Sequence, residues 1–427
     1  MRQLATVFFD NLGSLFPFLD RYDVLHRIEQ QTCSAILSNC IAGLASRYVD
    51  PDLVPCGTAY YDNAKSLAYC VASVPSVEAL HALLCLTWAE YGAGHDDAFW
   101  VYSRMAITMC LDLGIGCEST IQIAATPEVR HRLRLTWWTV VCTADIAAAW
   151  ATGRSATLDL DQYDTQLPDP ADDDISLLFR NLIDLYVLRG KLNRVLDAHV
   201  DNRGDSSLDW DLSKLQTNLE NMLKALPPTM VFNEENLVAM RDRRMGHVFV
   251  QMHILTHAVS ALLNRPSLLP SYGLPVPTEG PRAEAARSCA KSVADILSTV
   301  ERAAPETLCD PFMDLPVVVA YATFIADASA SVARATPHAR MLTRQWSDAF
   351  MGTCKESLVR LSTTWGGAAT IDNVLDRHAG MVARVDDAQL AASSCELLCY
   401  CLFPHSKGKR LTFRRFRFDL FRVNYSL

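Results

Sequence analysis

Apolar residues recur three and four positions apart from one end of this 427-residue chain to the other, while short runs alternating apolar with polar are nearly absent. A one-sided stripe with that period is what an amphipathic helix buries, so the spacing predicts an all-α protein. Ser76 and Glu78 open one such segment, with Leu80, Leu83, Leu84, Trp88 and Tyr91 on a single face, and Gly92 and Gly94 stop it. Asp96 and Asp97 favour the start of the next, which runs through Trp100, Ile107, Cys110 and Leu111 to a left-handed cap at Gly114. Two helices joined so closely pack antiparallel.

Thr126 as cap and Pro127 in the first turn begin a long helix whose Leu133, Trp137, Val141 and Ala144 share a face and which Gly153 closes. Further helices are expected near residues 174–199, 208–225, 235–264, 282–303, 316–335 and 345–366. Pro168 and Pro170, Pro227 and Pro228, and the stretch from Pro266 to Pro281 mark connections, because proline cannot continue a helix. None of these resembles a flexible interdomain linker, and no repeat of fixed period emerges. The expected architecture is a single large irregular helical domain of antiparallel helix pairs over residues 1–385, followed by a distinct tail over 386–427.

A hydrophobic share of 50% against 20% charged residues is that of a globular chain able to bury a core. The formal net charge of -9 gives no global attraction for phosphate backbones or anionic membranes, so any nucleic-acid contact needs a local basic patch. Fourteen cysteines are scattered singly, as at Cys85, Cys110, Cys142 and Cys289, and read as reduced core residues rather than a disulfide framework. The N-terminus lacks the apolar run of a signal peptide, and no membrane span is expected, which points to a soluble intracellular protein.

Catalytic signatures fail on inspection. Gly204-Asp205-Ser206-Ser207-Leu208 approximates a nucleophilic-serine motif, but an extra serine interrupts it and no strand precedes it to present the hydroxyl. His253 and His257 stand four apart on a predicted helix, yet Ile-Leu-Thr lies between them in place of residues that supply a general base, so core or surface histidines are the plainer reading. Asp172, Asp173 and Asp174 suggest a magnesium site, but they are consecutive, lack a further acid nearby and sit at a helix start that favours acids anyway. Gly114-Ile115-Gly116 follows a helix rather than a strand, and no phosphate-binding loop is present. The chain reads as a non-enzyme.

From Arg132 to Asp145 the sequence is Arg-Leu-Arg-Leu-Thr-Trp-Trp-Thr-Val-Val-Cys-Thr-Ala-Asp, followed by Ala149-Trp-Ala-Thr-Gly-Arg154 and then Gln166-Leu-Pro168. This resembles the most distinctive motif of the fungal-specific transcription factor domain, or middle homology region, typified by xylanolytic activator regulators. The shared features are an arginine-rich helix start at Arg132 and Arg134, the Trp137-Trp138 pair, Asp145, a Gly153-Arg154 turn and Leu167-Pro168, with Ser155 where the family has proline. Val77–Leu84, Ala106–Ile115, the Leu262-Leu-Asn-Arg265-Pro266 segment and Cys289–Leu297 resemble further family segments in the same order, so the similarity covers about residues 5–370.

Neighbouring residues on a helix point about 100 degrees apart, so of Trp137 and Trp138 one is expected in deep core and the other over a neighbouring helix or cavity. Asp145 lies near a helix C-terminus, where a negative charge needs compensation, and Arg132, Arg134 or Arg154 is the expected source.

The resemblance implies the regulatory region of a nuclear factor controlling RNA polymerase II transcription. Its expected partners are the transcription machinery, related transcription factors or a small-molecule effector, with dimerisation open. Family members carry a zinc cluster of six cysteines, which this sequence lacks; Cys33 and Cys40 have no companion pairs, and Cys395, Cys399 and Cys401 are too few. No cofactor is therefore expected in this chain, zinc belonging to a separate head, and the chain is either naturally head-less or a piece of a longer protein. DNA contact is expected only through such a head, or weakly through a tail where Lys407, Lys409, Arg410, Arg414, Arg415, Arg417 and Arg422 interleave with phenylalanines. That tail reads either as a nucleic-acid or nuclear-import segment or as a mistranslated terminus. The alternative to a DNA-directed regulator is a helical scaffold or inhibitory partner acting through protein contacts alone.

Overall fold

Ser76 caps the helix that follows it by accepting the Ala79 N–H at 3.1 Å, and Gly94, at φ 76°, turns the chain out at the other end. Thr126, Ser34, Asp20 and Asn233 cap helices in the same way, each accepting from the amide three positions on. The computed structural model describes residues 1–50, 57–71, 73–169, 174–201, 207–269, 280–332 and 337–371, with 274, 373 and 375. Among them every regular element is helical. In chain order these are α1 Arg2–Leu12, α2 Arg21–Glu29, α3 Ala35–Ala45, α4 Gly57–Val71, α5 Val77–Ala93, α6 Asp96–Asp112, α7 Glu118–Ile121 and α8 Pro127–Thr139. A π-helical stretch, Val140–Ala147, runs directly into α9 Ala148–Thr152. Then come α10 Asp174–Asp201, α11 Leu208–Lys224, α12 Glu234–Asp242, α13 Gly246–Asn264, α14 Pro281–Ala303, α15 Asp314–Val332 and α16 Pro337–Thr364.

Chain neighbours pair extensively: α3 with α4, α5 with α6, α13 with α14 and α15 with α16. Buried apolar residues from Leu4 to Leu375 form one contiguous core. Each large side chain withdrawn from water contributes roughly 1.5–3 kcal/mol before chain entropy is set against it.

Two expectations change in three dimensions. The segment expected to bury one face as α5 is buried all round, from Ala79 and Leu80 through Cys85, Thr87 and Glu90 to Gly92, because α3, α4 and α6 pack against it. Gly92 does not stop the helix; it leaves room for the Trp365 ring against the α5 backbone. The single helix expected over 235–264 is two helices, broken at Arg243–Met245 with Arg244 at φ 61°. The break itself holds no glycine or proline, but Gly246 follows it directly as the first residue of α13, where a Cβ would crowd Arg241 and Thr307.

Helices α13 and Pro311–Ala328 are long and apolar enough to cross a membrane by length and composition, contrary to the expectation that no segment would be, but 94% of each window is buried inside the fold. Both serve as core helices, α13 packing against α10, α11, α12, α14 and α15. Cys85, Cys110 and Cys142 are buried free thiols as expected, whereas Cys289 is only half-buried. Pro281 opens α14 instead of belonging to the connection before it.

Candidate functional site

The helix that begins at Thr126 carries the densest run of chemistry in the sequence. Its first two turns hold Arg130, His131, Arg132 and Arg134, all half-buried; its next turn goes into the core. Trp137 is 1% exposed and meets the Tyr163 ring at 4.8 Å between centroids. Trp138, pointing away from it, is half-buried and donates its indole N–H to the Gln166 carbonyl at 2.9 Å. The π-helical stretch that follows was not legible in the sequence, and it carries Asp145. Such wide turns occur mostly as local insertions in α-helices.

Asp145 is buried and accepts three hydrogen bonds: Thr157 N–H at 2.7 Å, Thr157 O–H at 2.9 Å and Leu158 N–H at 3.1 Å. The nearest cation is Arg104 of α6 at 3.9 Å, which also donates to the Thr157 hydroxyl. None of the three expected arginines fills that place. Arg134 pairs instead with Glu118, and Arg154 reaches Asp97 at 3.7 Å with its guanidinium 4.6 Å from the Trp100 ring centre. Gly153, at φ 65°, supplies the left-handed turn that sends Arg154 that way.

Glu118 is a second anchor. It accepts from the Arg134 guanidinium, from Gln166 N–H at 3.1 Å and from the Gln122 amide at 2.6 Å. Burial pushes its carboxyl up, but Arg134 and the Gln166 amide outweigh that and hold it below the usual range. With the Thr165 hydroxyl donating to Ile115 O at 2.8 Å, the strap from Arg154 to Pro168 is tied to Asp145, to Trp138 and to the Ile115 and Glu118 positions after α6. Pro168 is itself buried at the end of the strap.

A cleft of about 630 Å³ opens beside the arginine-rich start of α8. One wall is Arg130, His131, Arg132, Arg134 and Leu135; the other comes from the connection before α2, with Pro17, Leu19 and Asp20, and from the first turn of α2, with Arg21 and Tyr22, and Asp169 and Ile175 complete the rim. Arg21 is paired with Asp10 at 2.6 Å. Tyr22 is 82% exposed at the edge. Sequence reasoning singled out Arg132 and Arg134 but missed this second wall, whose one local signal is the cap at Asp20.

Residues 5–201 match the model of the fungal specific transcription factor domain, a stretch that contains the motif, the strap and the whole cleft. Over that stretch, a little under half of its length, the chain is similar to the fungal specific transcription factor domain. It is 25% identical over 223 residues to an uncharacterised transcriptional regulatory protein of Schizosaccharomyces pombe, covering 45% of this chain and 35% of that one. It is 27% identical over 138 residues to the TY1 enhancer activator of Saccharomyces cerevisiae, 30% of this chain and 18% of the relative. It is also 28% identical over 131 residues to the nitrogen assimilation transcription factor nirA of Emericella nidulans, 27% of this chain and 14% of the relative. The matched stretches thus span about a third or less of these relatives, all of which are named as transcriptional regulators rather than enzymes. No solved structure matches the chain.

Within the matched stretch the structure brings Arg132 and Arg134 to the cleft and commits Trp137, Asp145, Gly153 and Pro168 to packing. Arg265 and Pro266 lie beyond the matched stretch and away from the cleft, fully buried, with Arg265 paired to Asp327 at 3.0 Å and Arg287 closing on the same carboxylate at 2.6 Å. His253 is also core: it sits 3.0 Å from Met230 O, edge-on to Phe249, and burial lowers its pKa to about 4. No group of three metal-ligating side chains occurs among the described residues. Lys407, Lys409, Arg410, Arg414, Arg415 and Arg417, the 386–427 tail with Cys395, Cys399 and Cys401, and also Pro170, Asp172, Asp173 and Gly204 to Ser206 lie outside the described residues.

One buried polar group was missed entirely. In Asp310-Pro-Phe-Met-Asp314 both aspartates are buried at the start of α15, Asp310 accepting Phe312 N–H at 2.9 Å and Asp314 accepting the Tyr91 hydroxyl at 2.6 Å. Burial pushes Asp310 up to about 8 and Asp314 up to about 7. An aspartate before Pro-Phe reads as a cap in sequence, and nothing local shows that the cap lies in the core.

Proposed function

We propose that this chain is the regulatory region of a nuclear transcription factor that controls RNA polymerase II transcription in answer to an effector or partner protein. The observation that carries the reading is a division of labour within one motif. Its tryptophans and aspartate are spent on packing, whereas its arginine-rich start stands half-exposed at the cleft. Arg134 is held within the fold by Glu118, whereas Arg132 makes no ion pair among the described residues and its charge is left facing the cleft. DNA recognition belongs, in this reading, to a zinc-cluster head on the same or a partner chain, and the domain transmits its state to that head or to the transcription machinery.

The test is to fuse the full chain to a heterologous DNA-binding module in a fungal host and follow a reporter across changes of carbon and nitrogen source. A reporter that responds to growth condition supports the reading. Constant output under every condition, with the fusion present in the nucleus, overturns it.

A further inference from the structure

Building on that effector-responsive reading, we propose that the cleft binds a small polyanion, a metabolite bearing two or more carboxylate or phosphate groups. The cleft's volume, about 630 Å³, lies in the range of pockets that enclose such molecules. Residues along α8 step by about 100 degrees, so His131 and Leu135, one turn apart, form a strip with Arg132 on one side and Arg130 and Arg134 on the other.

The charges are not equally engaged. Arg134 is paired with Glu118 and Arg21 with Asp10. Arg130 donates only to neutral oxygens, Ala124 O at 3.2 Å and the Gln122 amide at 3.1 Å. The Arg132 guanidinium makes no hydrogen bond and no ion pair among the described residues. Two guanidinium groups that make no ion pair among the described residues therefore face the cleft from opposite sides of the strip. Of the acids at its rim, Asp20 is engaged with Asp23 N–H at 2.7 Å, while Glu128 and Asp169 are exposed to solvent, where their charges are screened. A guanidinium presents a planar fork that fits a carboxylate or phosphate with two parallel hydrogen bonds, and two forks set apart select a ligand with two anionic groups. The half-buried Ile175 gives its carbon frame an apolar contact at the rim.

The experiment is calorimetric titration of the full chain with citrate and, separately, with inorganic pyrophosphate, in a low-salt buffer without competing polyanions. One-to-one binding of at least one probe is expected, weakened about tenfold or more by Arg132→Gln and by Arg130→Gln. Arg302→Gln, at an exposed pair with Glu234 outside the cleft, should leave binding unchanged. Binding of citrate alone assigns a carboxylate ligand, and of pyrophosphate alone a phosphate ligand. Failure of both probes, full-strength binding in both cleft variants, or equal weakening by Arg302→Gln overturns the proposal. Should Arg132→Gln fail to fold by circular dichroism, Arg130→Gln carries the test. The reporter separates the two levels: binding lost on Arg132→Gln beside a reporter that never responds supports the site and removes its regulatory role.

Discussion

Tyr91 in α5 donates its hydroxyl hydrogen to Asp314 Oδ1 at 2.6 Å, linking the matched domain to the start of α15 through the core. Its ring stacks on Phe312 with centroids 4.3 Å apart, and Phe312 N–H in turn holds Asp310. Two carboxyl groups are thus sealed in a core where ionisation is costly.

The first prediction concerns pH. Burial raises Asp310 from 3.8 to about 8 and Asp314 from 3.8 to about 7. A carboxyl whose folded pKa is raised contributes stability that is complete below its unfolded pKa and is lost as pH rises through the folded one. The melting temperature should therefore fall between about pH 4 and pH 8 from these groups. Asp310→Asn, neutral and able to keep the Phe312 hydrogen bond, should flatten the decline and melt above wild type at pH 8. A steeper decline in the variant would contradict it.

Glu118 carries the opposite sign. Its folded pKa is lowered from 4.5, so the stability it supplies is present above that value and lost as pH falls through the folded one. Glu118→Gln should cost about 1–3 kcal/mol at neutral pH by weakening the Arg134 pairing, with little further loss on acidification. Urea denaturation at pH 7 and pH 4 checks both parts.

At Gly92 a Cβ would fall 2.0 Å from Trp365 Cε3. The indole has little room to retreat, because its N–H donates to Cys309 O at 2.6 Å and Arg47 lies 4.6 Å over the ring. Gly92→Ala is expected to destabilise by roughly 1–3 kcal/mol, although alanine favours helix by about 1 kcal/mol. Adding Trp365→Leu should recover part of that loss, so the two changes will be non-additive in a double-mutant cycle.

Asp145→Ala removes the acceptor for three donors and strands Leu158 N–H in the core, at an expected cost of roughly 2–4 kcal/mol. Hydrogen exchange should accelerate at Thr157 and Leu158 before it does in α8. Unchanged protection of the strap would show that its other ties suffice.

The helices could be read from residues because their signals are local. Ser76, Thr126, Gly94, Gly114 and Gly153 act on amides and torsions within a few positions of themselves, and each does in the structure what its place in the chain foretold. The family motif was legible for the same reason, being a short ordered string.

Which faces those helices bury, and which charges meet, depended on chain far away in sequence. Helix α5 is covered on every side by α3, α4 and α6, so its one-face spacing understated its burial. Asp145 takes Arg104 from α6 instead of an arginine of its own motif, and Arg132 gains a cleft only because residues 13–22 fold across from it. Capping is settled within a turn of helix, whereas burial and charge pairing are settled by whichever distant segment excludes the water.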